Sequence, residues 1–384
     1  MMKESIFTNK CEKFSIVSIM VLCFFGATYT AKFLVISETS ILELLFFLSS
    51  IFVLGRYGIN RNALLISVIS IGYLVYSLVT VLLITNANLL DFIQAYKSYY
   101  YLILLGCFYK KRIFSEKAIL NLFNYILLVY LLKYCIDKYV LGIERPTVLI
   151  ENNFELILVI LLYYLNNIIK RSPQLLQTFL MIILCFVSGS RSSFVALIIA
   201  IFFSLDKNIN FRKAIILMLV PLAGIIMLIV FQQRLELSGG SSYEGIDRYR
   251  FFLEFLSSTS QWQWWQFLTG STALTPLSPM TCSNLGYYST LFSYAGDGKC
   301  YSVILHSFIL RVIYDHGFIG FMFLLFGIVF YLNKFNLKHK LCIILILLAT
   351  ALSVSSLNNV YVAFSLIFFI GSTVNYRESN EKMS

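Results

Sequence analysis

The chain has 384 residues, of which 59% are hydrophobic and 13% are charged, and its formal net charge is +11. A soluble domain needs a larger polar share to cover its core, so this composition excludes an ordinary soluble fold. The positive charge does not indicate nucleic-acid binding, because Lys and Arg occur in short clusters between long apolar runs. We therefore predict an all-α, polytopic membrane protein in which each apolar run crosses the bilayer once.

Twelve apolar runs are candidates for transmembrane helices. The first is too long for a signal-peptide core and lacks a small-residue cleavage site, so we expect it to be retained. The second is short, and it either has little tilt or is partly re-entrant. The predicted spans are 14–36, 41–54, 62–84, 89–109, 118–136, 154–169, 174–188, 191–205, 214–231, 308–332, 341–356 and 359–374.

The basic residues predict how these spans are oriented. If the N-terminus is inside, every short inside segment contains Lys or Arg, whereas the outside turns 37–40 and 85–88 contain neither. Basic residues close to span ends favour the cytoplasmic side, so both termini are predicted to be cytoplasmic. The whole chain, 1–384, then forms a single membrane domain with two longer periplasmic segments, 137–153 and 232–305.

The two longer outside segments contain candidates for substrate binding. Segment 137–153 holds Glu144-Arg145-Pro146, and Arg145 is one candidate. The large loop, 232–305, begins with a Gly/Ser-rich stretch at 239–242 and holds all three tryptophans, at 262, 264 and 265. An interfacial aromatic belt explains the tryptophans. The alternative is contact with a sugar or a lipid-linked substrate, for which Trp264 is the candidate.

Cysteine and histidine spacing predicts neither a metal site nor a soluble cofactor domain. Cys282 and Cys300 share the large loop and could form a disulfide if that loop faces an oxidising compartment. The histidines, at 306, 316 and 339, have no metal-ligand spacing, and the sequence has no P-loop. We expect no metal and no cofactor. The cysteines that lie in apolar runs are predicted to be packing residues: Cys23, Cys107, Cys135, Cys185 and Cys342.

The most informative residues are arginines that the preference of basic residues for the cytoplasmic side does not explain. Arg191 follows a Ser-Gly-Ser turn between spans seven and eight. Such a turn lets backbone approach a ligand and leaves N–H groups free near a helix start, where anions are favoured. A guanidinium adds a planar fork suited to phosphate. The alternative is a side chain that extends to the outer interface.

Arg248 and Arg250 lie in the large loop, ahead of aromatic residues. Read as a helix, this segment places Arg248, Phe252 and Phe255 on one face and pairs Arg250 with Glu254 at i,i+4. Arg248 is thus predicted to be available to a ligand, with Arg250 as a second substrate contact. Solvated loop charges are the alternative for both.

His306 stands where the large loop re-enters the membrane, and Arg311 follows within the next span. An imidazole titrates near neutrality and can orient a hydroxyl or take its proton, although a histidine satisfied at the interface is the alternative. Arg311 is a further candidate for substrate binding. Lys97 and Lys133 lie within apolar spans, and we expect each either to extend to the interface or to line a cavity.

Several arginines, one histidine and few carboxylates on the outward side favour a phosphate-bearing ligand. No carboxylate spacing indicates a glycosidase pair. The turn around Arg191, Arg248 ahead of aromatic residues, and the run from His306 to Asp315-x-Gly317-x-x-Gly320 resemble the O-antigen polymerase (Wzy-type) and O-antigen ligase superfamily. The similarity in topology covers most of the chain. Members of the family commonly have Asn after the histidine, where this chain has Ser307, and its acidic Asp315 precedes Gly317 by two positions.

The resemblance implies a GT-C-like membrane glycosyltransferase of the bacterial inner membrane, with its active site facing the periplasm. It would transfer undecaprenyl-pyrophosphate-linked glycan onto a lipid-linked repeat unit, without a metal and with inversion. By analogy, Arg191 and Arg248 would hold the pyrophosphate and His306 would orient or deprotonate the acceptor hydroxyl. Membrane lipid and a chain-length regulator protein are the implied partners, and nucleic acid is not.

Two alternatives remain open at the level of sequence. An O-antigen ligase shares the fold and motifs but passes finished polymer to lipid A-core. A lipid-linked-sugar transporter would show repeated halves and broken helices near the bilayer centre. The two halves of this chain do not resemble each other, and its polar features lie at the predicted outer face.

Overall fold

The computed structural model describes residues 2–28, 37–149, 152–205, 215 and 247–374. Within these ranges the chain is all-helical and contains no strand. The predicted span 214–231 and the Gly/Ser-rich stretch 239–242 lie outside the described residues, except for residue 215. The α-helices are α1 (Met2–Ala27), α2 (Glu38–Tyr57), α3 (Arg61–Thr80), α4 (Leu89–Ala95), α5 (Lys97–Gly106), α6 (Glu116–Cys135), α7 (Asn152–Lys170), α8 (Leu175–Ser188), α9 (Arg191–Ser204), α10 (Asp247–Ser258), α11 (Trp264–Thr269), α12 (Pro279–Asn284), α13 (Phe308–Tyr331), α14 (Leu337–Ala351) and α15 (Val360–Gly371).

Four of the described helices are long and apolar enough to cross a membrane. They are α2, α3 with the π-helical turn Val81–Thr85, α6 with the π-helical turn Ile136–Val140, and α13. This finding supports the prediction of a helical membrane protein. The count of twelve spans, their orientation and the GT-C-like architecture stay predictions.

Helices α2 and α3 expose wide apolar surfaces. Only 28% of the most apolar stretch of each helix is buried, and Leu65 and Tyr76 of α3 are 64% and 69% exposed. A soluble monomer rarely leaves contiguous apolar patches of this extent in water. In hydrocarbon the same surface has no desolvation cost, so these helices fit the lipid-facing side of the bundle.

The centre of the bundle is formed by α7 and α15, whose sequences are apolar on all sides. Every residue of α15 is buried, and so is every α7 residue from Leu156 to Leu165. Helix α7 packs against α6, α9 and α15, and α15 also packs against α2 and α5. A helix without a polar face is stable only where neighbours or lipid cover it completely, which is the position these two helices occupy.

The predicted span 89–109 is helical but interrupted, because the chain breaks at Tyr96 into α4 and α5. Asn358 binds both sides of this break: its Oδ1 accepts from the Ser98 N–H at 2.9 Å, and its Nδ2 donates to the Gln94 carbonyl at 2.8 Å. A side-chain amide thus replaces intrahelical partners, which lets a broken helix persist inside the bundle. The break was not visible in the sequence, since Asn358 is remote along the chain.

Helix α2 contradicts the alternative that the second predicted span is partly re-entrant. Helix α2 is continuous over 20 residues, starts at a Ser37 N-cap that accepts from the Ser40 N–H, and ends at Gly58. A 20-residue helix is about 30 Å long, which matches the hydrocarbon thickness.

Lys97 and Lys133 form ion pairs, which the expectation that they extend to the interface or line a cavity did not include. Lys97 Nζ lies 2.5 Å from Glu43 Oε1, which also accepts from the Tyr101 hydroxyl at 2.9 Å. Lys133 Nζ lies 2.6 Å from both carboxylate oxygens of Asp137, and both side chains are at most 5% exposed. Pairing offsets the large cost of burying either charge alone.

Helix α13 is kinked at Gly317, where the backbone has a φ of 66°. A Cβ atom at this position would lie 2.2 Å from the Leu268 carbonyl oxygen of α11, so only glycine permits the close packing of α11 and α13. Beside the kink, the Ser271 N–H donates to the Tyr314 carbonyl at 2.7 Å. The kink thus joins the short helix α11 to the long apolar helix α13.

Polar contacts group the loops into two ends of the bundle. At one end the predicted inside segments contact each other, through Ser115 with Glu12, Lys111 with Tyr57, and Lys338 with Leu205. At the other end the predicted outside segments do so, through Asp91 with Ser293 and Gln94 with Tyr294. We name these the Lys334 end and the His306 end, after residues discussed below.

Candidate functional site

A cavity of about 310 Å³ lies at the His306 end, between α10, α13 and the residues that follow α14. It brings together segments that are more than one hundred residues apart in the sequence. Its walls are mostly apolar and aromatic, with one guanidinium and one imidazole. The residues that line it are Arg248, Tyr249, Phe251, Phe252, Leu305, His306, Ser307, Leu310, Leu352 and Ser353.

His306 is held at the cavity wall by an unusual backbone conformation. It follows the 3-10 helix Ser302–Leu305 and has a φ of 51°, a region that non-glycine residues seldom adopt. Its ring centroid lies 5.3 Å from the ring of Phe251 and 5.3 Å from that of Tyr288. The imidazole is half-buried between two aromatic rings, while one side of it borders the cavity.

Arg248 enters the same cavity from the first turn of α10. The predicted helix is present, and Arg248 and Phe252 both line the cavity, whereas Phe255 is buried away from it. The cation is exposed and stands one helical turn before Phe251 and Phe252. The structure thus places two of the three predicted catalytic residues, Arg248 and His306, around one space.

The predicted pair of Arg250 and Glu254 is wrong, because both side chains bind Asn284 instead. Arg250 Nη2 donates to the Asn284 carbonyl at 2.7 Å, and the guanidinium lies over the Tyr287 ring at 5.0 Å. Glu254 Oε1 accepts from Asn284 Nδ2 at 2.9 Å. Arg250 therefore fixes α10 against α12 and the following 3-10 helix, Gly286–Leu291, and it does not line the cavity.

Arg191 lies at the same end of the bundle but is not among the residues lining the cavity. Helices α9 and α14 pack side by side and antiparallel, with Cys342 against the Ile199 carbonyl and Lys338 bonded to the Leu205 carbonyl. Continued towards the start of α9, this register places Arg191 level with residues 350–352. Leu352 lines the cavity, so the exposed Arg191 stands at about the same level of the bundle as the cavity.

The serine turn before Arg191 bonds two of its own N–H groups, which corrects part of the prediction that several are free. The Ser190 N–H donates to Ser188 Oγ at 3.1 Å, and Ser190 Oγ accepts from the Ser193 N–H at 3.4 Å. Gly189 ends α8 in the left-handed conformation, with a φ of 67°. The turn is therefore a C-cap followed by an N-cap.

Arg311 belongs to a buried polar cluster on α13 and does not line the cavity. It is 6% exposed, and its Nη1 donates to Ser355 Oγ at 2.8 Å. One turn further along, Asp315 accepts from the Ser302 hydroxyl, and His316 Nδ1 lies 2.7 Å from the Tyr73 hydroxyl. These contacts join α13 to α3 and to the 3-10 helix that carries His306.

The remaining candidates lie apart from the cavity. Trp264 is 75% exposed at the start of α11, a position that fits both an interfacial belt and contact with a substrate. Trp262 instead packs on Tyr314, at 5.2 Å between ring centroids. Arg145 is exposed in the segment before α7. The cavity-lining residues do not include Arg145 or Trp264.

A disulfide joins Cys282 and Cys300, which confirms that these cysteines can pair. Cys282 lies in α12, and Cys300 precedes the 3-10 helix that leads to His306. The Leu277 N–H also donates to the Cys300 carbonyl at 2.9 Å. The bond thus ties the irregular part of the large loop to the segment that holds the histidine.

Sequence reasoning missed the aromatic walls of the cavity and the residues that come from the end of α14. Phe251 had a visible signal, since it is the i+3 neighbour of Arg248 and such a residue shares its helix face. Tyr288, Leu352 and Ser353 gave no such signal, because only the tertiary fold brings them to His306.

No group of three or more His, Cys, Asp or Glu side chains in the described part of the chain is placed to hold a metal ion. The cavity can accept an anion through Arg248 and exchange a proton through His306, and its aromatic walls offer stacking surfaces. In comparisons with known proteins, the chain matches no family model, no curated protein and no solved structure.

Proposed function

We propose that the chain is a membrane glycosyltransferase of the O-antigen polymerase type. Its substrates would be glycans carried on undecaprenyl pyrophosphate, and its active site would face the periplasm of a bacterial inner membrane. The observation that carries the proposal is the cavity lined by both His306 and Arg248, which the family resemblance had assigned to catalysis independently of any structure.

The geometry suggests a division of labour in one displacement. The acceptor hydroxyl oxygen attacks the anomeric carbon of the donor glycan while the bond from that carbon to the pyrophosphate oxygen breaks. An imidazole nitrogen of His306 takes the hydroxyl proton, and the pyrophosphate leaves on its lipid with the bonding electrons. Arg248 stabilises the charge that builds on the leaving group, and a single displacement inverts the anomeric centre.

The surroundings of the cavity favour this reaction over simple binding. Aromatic side chains such as Tyr249 and Phe252 can stack on sugar faces, while lateral diffusion in the bilayer delivers both lipid-linked substrates to one place. Holding the two together removes part of the entropic barrier. Arg191, at the same end of the bundle, would supply a second cation for the pyrophosphate.

The test is deletion of the gene in its native host, followed by complementation and gel analysis of the surface lipopolysaccharide. A polymerase deletion leaves core capped with a single repeat and no ladder. His306→Ala should fail to restore the ladder, since loss of a general base costs about 10²-fold or more in rate. Lys299→Ala, which removes an exposed loop cation paired with Asp297, should restore it.

Two outcomes would contradict the proposal. Bare core together with long glycan left on the lipid carrier would identify a ligase. A normal ladder in the deletion strain would exclude both activities and reopen transport of lipid-linked sugar.

A further inference from the structure

A second cavity, of about 280 Å³, lies at the Lys334 end of the bundle, at the opposite end of α13 from His306. A 24-residue helix is about 36 Å long, so the two cavities are well separated. We call this second cavity the basic pocket. It is lined by Lys110, Lys111, Arg112, Tyr331, Asn333, Lys334, Ile370, Ser372 and Val374.

Three chain segments are locked together to form the basic pocket. The Ile113 and Phe114 N–H groups donate to the Gly371 carbonyl at 2.7 and 3.0 Å, and the Thr373 N–H donates to the Phe114 carbonyl at 2.9 Å. Lys334 Nζ donates to the Ser372 carbonyl at 2.6 Å and to its hydroxyl at 2.8 Å. These bonds fix the turn after α5, the turn after α13 and the end of α15 in one arrangement.

Among the described residues, the lining of the pocket concentrates positive charge. Four of its nine lining residues are Lys or Arg, and none is Asp or Glu. In the described part of the chain none of the four cations forms an ion pair. Glu12, which contacts the segment after this turn, accepts from the Ser115 hydroxyl and N–H.

The donors of the pocket are only partly used. Lys111 Nζ donates to the Tyr57 carbonyl at 2.9 Å, and Lys110 lies over the Tyr109 ring at 5.5 Å. The guanidinium of Arg112 is exposed and has no hydrogen-bond partner among the described residues. A planar guanidinium with vacant donors beside fixed ammonium groups is the arrangement that recognises phosphate oxygens.

The size and walls of the pocket narrow the class of ligand. A volume of 280 Å³ is close to the lower limit of small-molecule sites, about 300 Å³, so it suits a headgroup or a small anion rather than a whole lipid or a nucleic acid. Ile370 and Val374 supply an apolar side next to the polar one. The pocket opens at the end of a membrane-spanning helix, where phospholipid headgroups lie.

We propose that the basic pocket binds a phosphate-bearing anion, with Arg112 and Lys334 as its principal contacts. The ligand phosphate can come from an anionic phospholipid or from a small soluble phosphate. Both sources share the chemistry that the pocket recognises. The site is separate from the His306 cavity, and the proposal does not depend on the glycosyltransferase function.

The test uses the purified full-length protein in mixed micelles of phosphatidylcholine and phosphatidylglycerol. Mass spectrometry of the co-purifying lipid gives the ratio in which the two are retained. Arg112→Gln should lower the preference for phosphatidylglycerol about ten-fold or more, which is the fold-change that corresponds to losing one charge-assisted contact of about 1.5 kcal/mol. This exposed side chain has no structural bond to lose, so the variant should fold.

Lys117→Gln is the matched control, because it removes an exposed cation from the same end and lies outside the pocket. It should leave the lipid ratio unchanged. Equal losses in the two variants would overturn the proposal in favour of diffuse attraction between the basic end and anionic lipid. Unchanged ratios in both would also overturn it, unless the pocket binds soluble phosphate in the arm that follows.

Inorganic phosphate, titrated into lipid-free detergent solution, distinguishes the two sources. If the ligand is a lipid headgroup, phosphate neither raises the melting temperature nor displaces phosphatidylglycerol. If the ligand is soluble, phosphate raises the melting temperature of the wild type and of Lys117→Gln, and not that of Arg112→Gln. Absence of both phosphate binding and a lipid preference would overturn the proposal.

Discussion

The two cavities at the ends of α13 are both cationic, but they are built differently. At the His306 end, one guanidinium and one imidazole stand among aromatic side chains, and the histidine backbone is held in a left-handed conformation. At the Lys334 end, four cations converge, and among the described residues neither an imidazole nor a carboxylate lines the pocket. The first arrangement is suited to moving a proton beside an anion, whereas the second is suited to binding one. Charge alone therefore does not distinguish a reactive site from a binding site.

The largest expected effect would come from removing the guanidinium of the His306 cavity. Arg248→Ala should lower the rate of polymerisation of a purified lipid-linked repeat about 10²-fold or more, because charge on the leaving group would lose its stabilising partner. Arg248→Lys should recover part of the rate, since the ammonium keeps the charge and loses the planar fork. The measurement is single-turnover elongation with the protein in detergent.

Lys299→Ala serves as the control for this experiment, because it removes a cation of the same loop that does not line the cavity. Wild-type elongation by Arg248→Ala would remove this residue from the mechanism and leave Arg191 as the candidate cation.

A smaller effect is expected on local stability, because loss of the disulfide should destabilise the His306 end and leave the Lys334 end unchanged. The disulfide of Cys282 and Cys300 closes a loop with a sequence separation of 18 residues at the His306 end. Replacing both cysteines by serine should destabilise this loop by about 3 kcal/mol. Hydrogen exchange should then rise in α12 and in the segment 300–307, while the turn 107–115 at the Lys334 end keeps its protection.

Cys135→Ser, which changes a half-buried cysteine outside the disulfide, should leave exchange in the loop unaltered. A uniform rise along the whole chain would mean that the two ends unfold as one unit. Thiol labelling in intact cells adds a check on orientation, since the bond should form only if the loop faces an oxidising compartment.

The helical segments could be predicted because long apolar runs in a chain of this composition have few other solutions. Arg248 and His306 could be selected because both are basic residues on the predicted outer side, where the preference of basic residues for the cytoplasmic side does not explain them. Their partners could not, since only the tertiary fold brings Tyr288 to the His306 ring and Leu352 to the cavity. The same reason explains why the interruption at Tyr96 was not predicted, because it depends on the remote Asn358.

The two lysines in apolar runs also have partners that were not predicted. Each looked like an isolated cation in an apolar run, and each has a carboxylate partner: Glu43 for Lys97 and Asp137 for Lys133. The second pair could be detected, because its members are at positions i and i+4 and α6 runs directly into the π-helical turn that holds Asp137. The first pair spans two helices and had no signal in the sequence.

Gly317 and Gly320 follow His306 in α13, the helix that connects the two ends of the bundle. Substitution of Gly320 tests how tightly this helix packs. A Cβ atom at Gly320 would lie 2.5 Å from His316 Cβ and 2.7 Å from the Tyr99 hydroxyl. Gly320→Ala should therefore cost about 1–3 kcal/mol of stability by overpacking. Gly72→Ala, in the middle of α3 with open space around it, should be neutral or slightly stabilising. Thermal unfolding of both variants in detergent measures the difference, and equal melting temperatures would contradict the packing of α13.

The smallest expected effect is a pH dependence confined to the basic pocket. Burial, and secondly the Arg112 guanidinium, lowers the pKa of Lys334 to about 7. The charged and titratable groups around its ammonium are Lys110, Lys111, Arg112 and Tyr331. Lys334 therefore carries its charge below pH 7 and loses it as the pH rises through 7, so the affinity for an anion should fall in the same direction.

Phosphatidylglycerol is the suitable probe, because a phosphodiester does not change its own charge in this range. Between pH 6 and pH 8 its retention should fall by up to about ten-fold, the value expected for losing one charged hydrogen-bond donor. In Lys334→Arg the guanidinium stays protonated at both pH values, so the retention should become independent of pH. If Lys334→Arg kept the wild-type slope, the titrating group would lie elsewhere. The difference between the two cavities would then rest on the imidazole of His306 alone.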